Sequence, residues 1–413
     1  MEAARRPLNS NPHRTGARNP RQIRGSERKN GDGGLRQVAV RRKPARDYSL
    51  ILIILFFIAF GLVMLYSTSS YEAGLEYGDS AYYLKRQAAA TAVGLVVMVV
   101  VSRIPLVFWE RLHSVIYVFS ILLLGLIIPF GTEVNGAKRW IYIGPVSVQP
   151  AEISKFAVLL VTAVWLCQSS RSIFRTWKGF IATLMPALLQ AGLILGITRN
   201  LSSAIIVGAI AMGMVFVTDE RYRRYVLLTA IIILICAAAV VIAKKTSGSI
   251  SFRFKRILVW LDPAAYADDT GYQVLQGLYG VGSGGLFGKG LGQSMQKLGY
   301  IPEAQNDMIF SIICEELGLF GAFSIILLFM LLCWRFMMVA MNASNMFGSL
   351  LTVGVMTHIA VQVILNIAVV TNTIPNTGVT FPFFSYGGSS IVILLAEIGL
   401  VLNVARTSSP GAK

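Results

Sequence analysis

The sequence predicts an all-α protein: a polytopic membrane bundle of about ten transmembrane helices carrying one large extracellular loop. Three observations carry that reading. Only 14% of the 413 residues are charged while 55% are hydrophobic, where a soluble protein has nearer a quarter charged. The deficit is concentrated in apolar runs whose length suits a helix crossing ~30 Å of hydrocarbon. Short polar steps, rather than soluble domains, separate most of these runs.

The runs fall near 48–69, 87–102, 112–130, 151–168, 180–197, 201–217, 224–243, 308–333, 347–370 and 387–405. The fifth and sixth nearly merge through Thr198-Arg199-Asn200. Ahead of the first, residues 1–47 hold 13 Lys/Arg and four Asp/Glu, so this segment supplies +9 of the formal +17. It is rich in Arg, Asn, Gly and Pro and has almost no apolar run, which predicts a disordered basic cytoplasmic tail. Such a tail sets orientation and touches anionic lipid; that reading outweighs a nucleic-acid footprint, and no nucleic-acid partner is expected. It is too long and too charged for a cleaved signal peptide, so the first span reads as a retained anchor.

With the tail inside, the short loops predicted inside hold 11 cations: Arg103, Arg111, Arg171, Arg175, Lys178, Arg221, Arg223, Arg224, Arg335, Arg406 and Lys413. Those predicted outside hold five, namely Lys85, Arg86, Lys138, Arg139 and Arg199. The bias favours an even number of spans with both termini cytoplasmic, a membrane domain over 48–405 and a cytoplasmic C-terminal tail over 406–413. Cys167, Cys236, Cys314 and Cys333 all lie in apolar runs, without a CxxC pair or His cluster, so neither a disulfide framework nor a zinc site is supported.

The one large extracellular loop spans 244–307. Its start interleaves Lys244, Lys245, Arg253, Lys255 and Arg256 with Phe252, Phe254, Ile257, Leu258 and Trp260, which reads as a short amphipathic helix on the outer membrane surface. Further on, GVGSGG satisfies a dinucleotide fingerprint by letter but lacks the strand before it, and SGGLFGKG misses the phosphate-loop pattern at Ser283 and Gly290. The Gly-dense stretch is either an anion-tolerant surface with Lys289 and Lys297 or a tight turn packed on the bundle.

Asp307 is the last acid before what reads as an uninterrupted apolar helix, where it is either a helix cap or a catalytic base. Glu315 and Glu316, two turns deeper, must face the interior or pair with cations. Glu152 and Lys155, at i,i+3 after Pro150, are placed to pair on one helix face. The run NTIPNTGVTFPFFSYGGSS cannot be regular helix, and irregular backbone at membrane depth needs protein or a watery cavity around it. His358, Gln362 and Asn366 form one polar stripe, with Glu397 as a partner on the last span; interhelical hydrogen bonding is its favoured role.

The segments NGAKRWI…GP…QPAEISK, GYQVLQGLYGVGSGGLFGKGLGQSMQKLGYIPEAQNDMIFSIICEELGLFG and TGVTFPFFSYGGSS resemble, in order and spacing, the SEDS family (shape, elongation, division and sporulation). The resemblance runs from about 48 to 405, and PEAQND is closer to the FtsW/SpoVE branch than to RodA. It implies a peptidoglycan glycosyltransferase that polymerises lipid II into glycan strands at the outer face of the bacterial cytoplasmic membrane, at the division septum. Implied partners are lipid II and the growing chain, a class B penicillin-binding protein that crosslinks it, and other division proteins. By motif, Asp307 matches the family's essential acid. Arg139, Glu152, Lys155, Lys289, Gln293, Lys297, Ser385 and Tyr386 match its substrate-binding positions. One departure is Arg199-Asn200-Leu201-Ser202, where the family often has a Pro-Asp step.

On this reading Asp307 takes the proton of an attacking sugar hydroxyl, and Arg139, Lys155, Lys289 and Lys297 stabilise the departing diphosphate. No cofactor is written in the sequence, and there is room for a divalent cation (Mg²⁺ or Mn²⁺) at that diphosphate. The competing classes are a lipid II flippase, with His358, Glu397, Glu315 and Glu316 as an intramembrane relay, and a non-catalytic divisome scaffold. Polar motifs gathered on one face argue against a midplane carrier site.

Overall fold

The structure is a computed structural model that describes residues 48–408 except 135–136, 145, 170–172, 174–175, 246–251 and 269–270. The basic tail over 1–47, Arg171, Arg175 and the end of the C-terminal tail therefore lie outside the described residues. Among the described residues ten helices are long and apolar enough to cross a membrane: α1 (Tyr48–Tyr77), α2 (Tyr82–Arg103), α3 (Leu106–Phe130), α4 (Pro150–Gln168), α5 (Trp177–Leu193), α6 (Leu201–Thr218), α7 (Tyr222–Lys245), α10 (Ile309–Met341), α11 (Met346–Val370) and α12 (Gly388–Thr407). Two shorter helices, α8 (Phe252–Leu261) and α9 (Tyr272–Ser283), occupy the long loop. The amphipathic segment read from the sequence is α8.

Two features depart from the sequence reading. The α3–α4 connection is a three-stranded antiparallel sheet, β1 (Thr132–Val134), β2 (Ala137–Ile143) and β3 (Val146–Val148), with β2 central. Its strands are too short to announce themselves by alternation. The eighth span is also not one helix. At Gly318 the backbone takes φ 68° and ψ −168°, so α10 is two arms, 309–317 and 319–341. The long arm alone, at 1.5 Å per residue, suffices to span the hydrocarbon.

Burial ranks the helices. In α4, 83% of the span is buried, so it forms the axis of the bundle; in α7 the figure is 0%, so that helix stands apart. The core joins α4, α6, α11 and α12 through side chains such as Leu159, Met214, Leu351 and Leu395. On α1, Phe57 stacks on Phe329 of α10 at 4.4 Å and on Phe383 at 5.2 Å. Phe383 belongs to the irregular run before α12, which thus reaches down to the middle of α10's long arm. Only a glycine at 61 permits that approach, since a Cβ there would lie 2.3 Å from the Phe383 carbonyl oxygen.

Candidate active site

Helix α6 starts beside the 375–387 run, because Ser202 donates from Oγ to the Thr377 carbonyl. The sheet, α8, α9, the start of α10 and the 375–387 run all gather at this end of the bundle. Three segments distant in sequence fix Asp307 there: α11, the 375–387 run and α9. The α11 stripe holds it from below: Asn366 Nδ2 donates to the carbonyls of Asp307 (2.8 Å) and Val379 (2.7 Å), and Gln362 Nε2 donates to the Thr380 Oγ1 at 2.9 Å. The 375–387 run is knitted to the strand of chain before α10, with Tyr386 N donating to the Gln305 carbonyl at 2.9 Å and Ser385 Oγ to the Asn306 carbonyl. Gln273 of α9 reaches the Asp307 Oδ1 at 3.5 Å, while its Oε1 accepts from Asn376 Nδ2 at 3.2 Å.

Asp307 does not cap a helix. α10 begins at Ile309, after Met308, without a side-chain cap. The carboxyl is partly accessible yet ringed by protein, and this burial pushes it up to about 6. Its own backbone hydrogen bond opposes the rise, Glu303 adds to it, and Arg256 lowers it. Arg256 Nη1 donates to the Asn376 carbonyl at 3.2 Å. Arg139 on β2 lies close enough to Arg256 that burial first and this neighbour second pull its pKa down; its Nε donates to the Thr198 carbonyl at 3.4 Å. Arg256 thus stands near one carboxyl of raised pKa, and Arg139 stands near Arg256.

The remaining residues selected from the sequence are distributed differently. Lys155 and Glu152 pair at 2.8 Å, both buried, and Ser390 donates to Glu152 at 3.3 Å, which joins α4 to α12. Lys289 pairs with Glu315 at 2.5 Å and Lys297 with Glu316 at 2.9 Å. Both lysines are therefore paired with buried carboxylates, and the Lys289 side chain stays partly exposed. Gln293 is exposed, with its backbone N–H donating to the Gly290 carbonyl at 3.1 Å. Ser385 serves the backbone, since its Oγ also accepts from Phe381 N at 2.7 Å. The Tyr386 ring meets Tyr83 edge-on at 4.9 Å.

The glycine-rich loop is a turn packed on the broken helix, with its outer side exposed. It supplies the backbone groups that the break in α10 leaves unpaired: Lys289 N and Gly290 N donate to the carbonyls of Glu315 and Glu316, and Leu319 N and Phe320 N donate to those of Gly285 and Leu286, all at 2.9–3.0 Å. The groups a carrier relay would need are likewise committed. Glu316 is held by Lys297 and by Ser67 Oγ at 2.7 Å, and His358 Nδ1 meets Glu397 at 2.6 Å. Two site residues escaped the sequence reading, Arg256 and Gln273. Arg256 was legible as part of an amphipathic helix, but nothing local announces that α8 folds back against Asn376.

A family model described as "Cell cycle protein", covering FtsW, RodA and SpoVE, matches residues 47–410. Among similar proteins, the Stage V sporulation protein E of Bacillus subtilis is 37% identical over 369 residues, spanning 89% of this chain and 99% of its own. The probable peptidoglycan glycosyltransferase FtsW of Trichlorobacter lovleyi is 35% identical, over 89% of this chain and 96% of its own. Among solved structures, a peptidoglycan synthase complex that coordinates polymerization and crosslinking contains a chain with TM-score 0.73 and 29% identity, covering 88% of this chain and 98% of that one. The rod shape determining protein RodA of Thermus thermophilus aligns at TM-score 0.64 with 28% identity, covering 89% and 99%.

Proposed function

Because the chain belongs to the FtsW, RodA and SpoVE family of cell cycle proteins, we propose that it is a peptidoglycan glycosyltransferase that polymerises lipid II at the outer face of the bacterial cytoplasmic membrane. Asp307 is its general base. The observation that carries this reading is the carboxyl of a partly exposed residue, raised to about 6 by its surroundings, with Arg256 near enough to act on it and Arg139 near Arg256. A base whose pKa lies near the working pH accepts a proton in the transition state most effectively, and such a group contributes ~10²–10⁴-fold.

The reaction balances on these residues. A sugar hydroxyl attacks the anomeric carbon of a diphosphate-linked sugar; its O–H proton passes to Asp307 as the new C–O bond forms. The anomeric C–O bond to phosphate breaks, and the electron pair leaves with the polyprenyl diphosphate. One acid rather than a facing pair suits a single inverting displacement. Negative charge grows on the leaving group, and Arg256 and Arg139 are the guanidinium groups placed to meet it, each able to bind phosphate oxygens bidentately. A divalent cation, Mg²⁺ or Mn²⁺, would draw most ligands from the diphosphate, because among the described residues no three His, Cys, Asp or Glu converge. Bound there, it would neutralise leaving-group charge.

The outer location rests on the excess of cations at the other end of the bundle and in the tail. The likeness to a synthase complex that joins polymerization to crosslinking supports a class B penicillin-binding protein as partner. The sporulation and FtsW relatives support a role in division at the septum. The deciding experiment supplies lipid II to the purified chain, alone and with that partner, and compares Asp307→Asn. Loss of polymer with partner binding intact is expected; undiminished polymer from the variant eliminates Asp307 as base.

A further inference from the structure

A second polar assembly lies at the other end of the bundle, where α6 ends and α7 begins. Trp177, Glu220, Arg221, Tyr222, Arg223 and Arg224 border a hollow of about 540 Å³. One of its arginines is structural. Arg224 is buried, pairs with Asp219 at 3.4 Å, and lies over the rings of Trp177 (5.3 Å) and Phe180 (5.4 Å). This clamp ties the first turn of α7 to α5 and leaves the exposed Arg221 and Arg223 on the rim. Three arginines stand against the carboxylates of Asp219 and Glu220, so this turn of chain is net positive. The first N–H groups of α7 point their dipole to the same place and add to the positive potential.

The charge suits a phosphate, and the surroundings decide what carries it. Beyond Arg224, no residue of α7 through Ile242 is buried; Leu227, which lines the hollow, and its neighbour Val226 are exposed and apolar. Trp177 and Tyr222, both exposed, are the aromatic residues that favour the boundary between headgroups and hydrocarbon. A ligand seated here has an anionic head against arginine and an apolar body along α7. We propose that this hollow binds the phosphate of an anionic membrane phospholipid, with its acyl chains lying along α7. The site is separate from Asp307, and its test reads binding alone, so it stands or falls independently of the polymerase reading.

The test uses the full chain in nanodiscs of phosphatidylcholine with and without phosphatidylglycerol, followed by native mass spectrometry of retained lipid. Retention of phosphatidylglycerol is expected to weaken about thirtyfold in an Arg221→Gln/Arg223→Gln variant, at ~1 kcal/mol for each cation near an anionic lipid surface. Glu220→Gln is expected to strengthen it about fivefold on the same scale, a gain that misfolding does not produce. The basic tail is common to every variant and cancels from the comparison. Equal retention of both lipids, or an unchanged double variant, overturns the site. Displacement by millimolar inorganic phosphate overturns its assignment to a lipid.

Discussion

At Asp307 two demands meet: a base must be ionised to act, and a carboxyl ringed by protein resists ionisation. The balance at about 6 sets the expected pH dependence. Below 6 the carboxyl holds its proton and cannot accept another, so polymer synthesis is expected to rise through that pH and to be about tenfold slower at pH 5 than at pH 7. A flat profile from 5 to 7 in a lipid II polymerisation assay counts against the assignment. The same shift has the opposite sign for stability. The folded pKa lies above the unfolded one, so the proton is bound more tightly in the fold, and stability falls as pH rises from about 4 to about 6. Asp307→Asn removes that cost. It is therefore expected to melt at or above the wild-type temperature at pH 7 while making no polymer; a lower melting temperature would attribute the lost activity to misfolding. The acid itself was legible from its motif. Arg256 and Gln273 were not, because each reaches the carboxyl through folding of the long loop.

Among the elements, α10 and the glycine-rich loop are best understood as one unit. A helix broken at Gly318 leaves backbone groups that lipid cannot satisfy, and the loop satisfies four of them while bringing Lys289 and Lys297 to Glu315 and Glu316. At φ 68° and ψ −168° the position suits glycine alone, and a Cβ there would lie 2.3 Å from Gly288 N. Gly318→Ala is expected to cost about 1–3 kcal/mol through backbone strain alone, read as a lower melting temperature in detergent. Lys297→Met should cost more, about 3–5 kcal/mol, because the Glu316 side chain, fully buried, is left without its cation. Adding Glu316→Gln should return most of that loss; a double variant no better than the single would show that the pair is not the source. The break has a sequence signal, a glycine directly after Glu315-Glu316-Leu317, which is how helices commonly end. Apolar residues on both sides of it disguised the signal as one continuous span.

For the whole molecule, sidedness is the property on which the enzymatic reading turns. In a cysteine-free background, Met295→Cys on the exposed loop is expected to react with an impermeant maleimide in intact cells. Tyr222→Cys at the other end should react only after permeabilisation. The reverse pattern would put Asp307 in the cytosol and end the polymerase account. The bundle is also uneven in its packing. α4 sits at its axis, and the buried Glu152–Lys155 pair bonded through Ser390 to α12 stiffens that axis rather than touching Asp307.

Composition and run length by themselves determined that the chain is a ten-span membrane protein, since hydrocarbon thickness demands about 20 apolar residues per helix whatever the helices then do. The motifs determined the family and singled out Asp307. Tertiary structure alone decided where the cations go: Lys155, Lys289 and Lys297 pair with buried carboxylates, whereas Arg256 comes near the acid and Arg139 comes near Arg256. The physical reason is that a buried charge is tolerable only beside its partner. Which partner that is depends on how helices pack, a matter of distance in space that no local pattern of residues records.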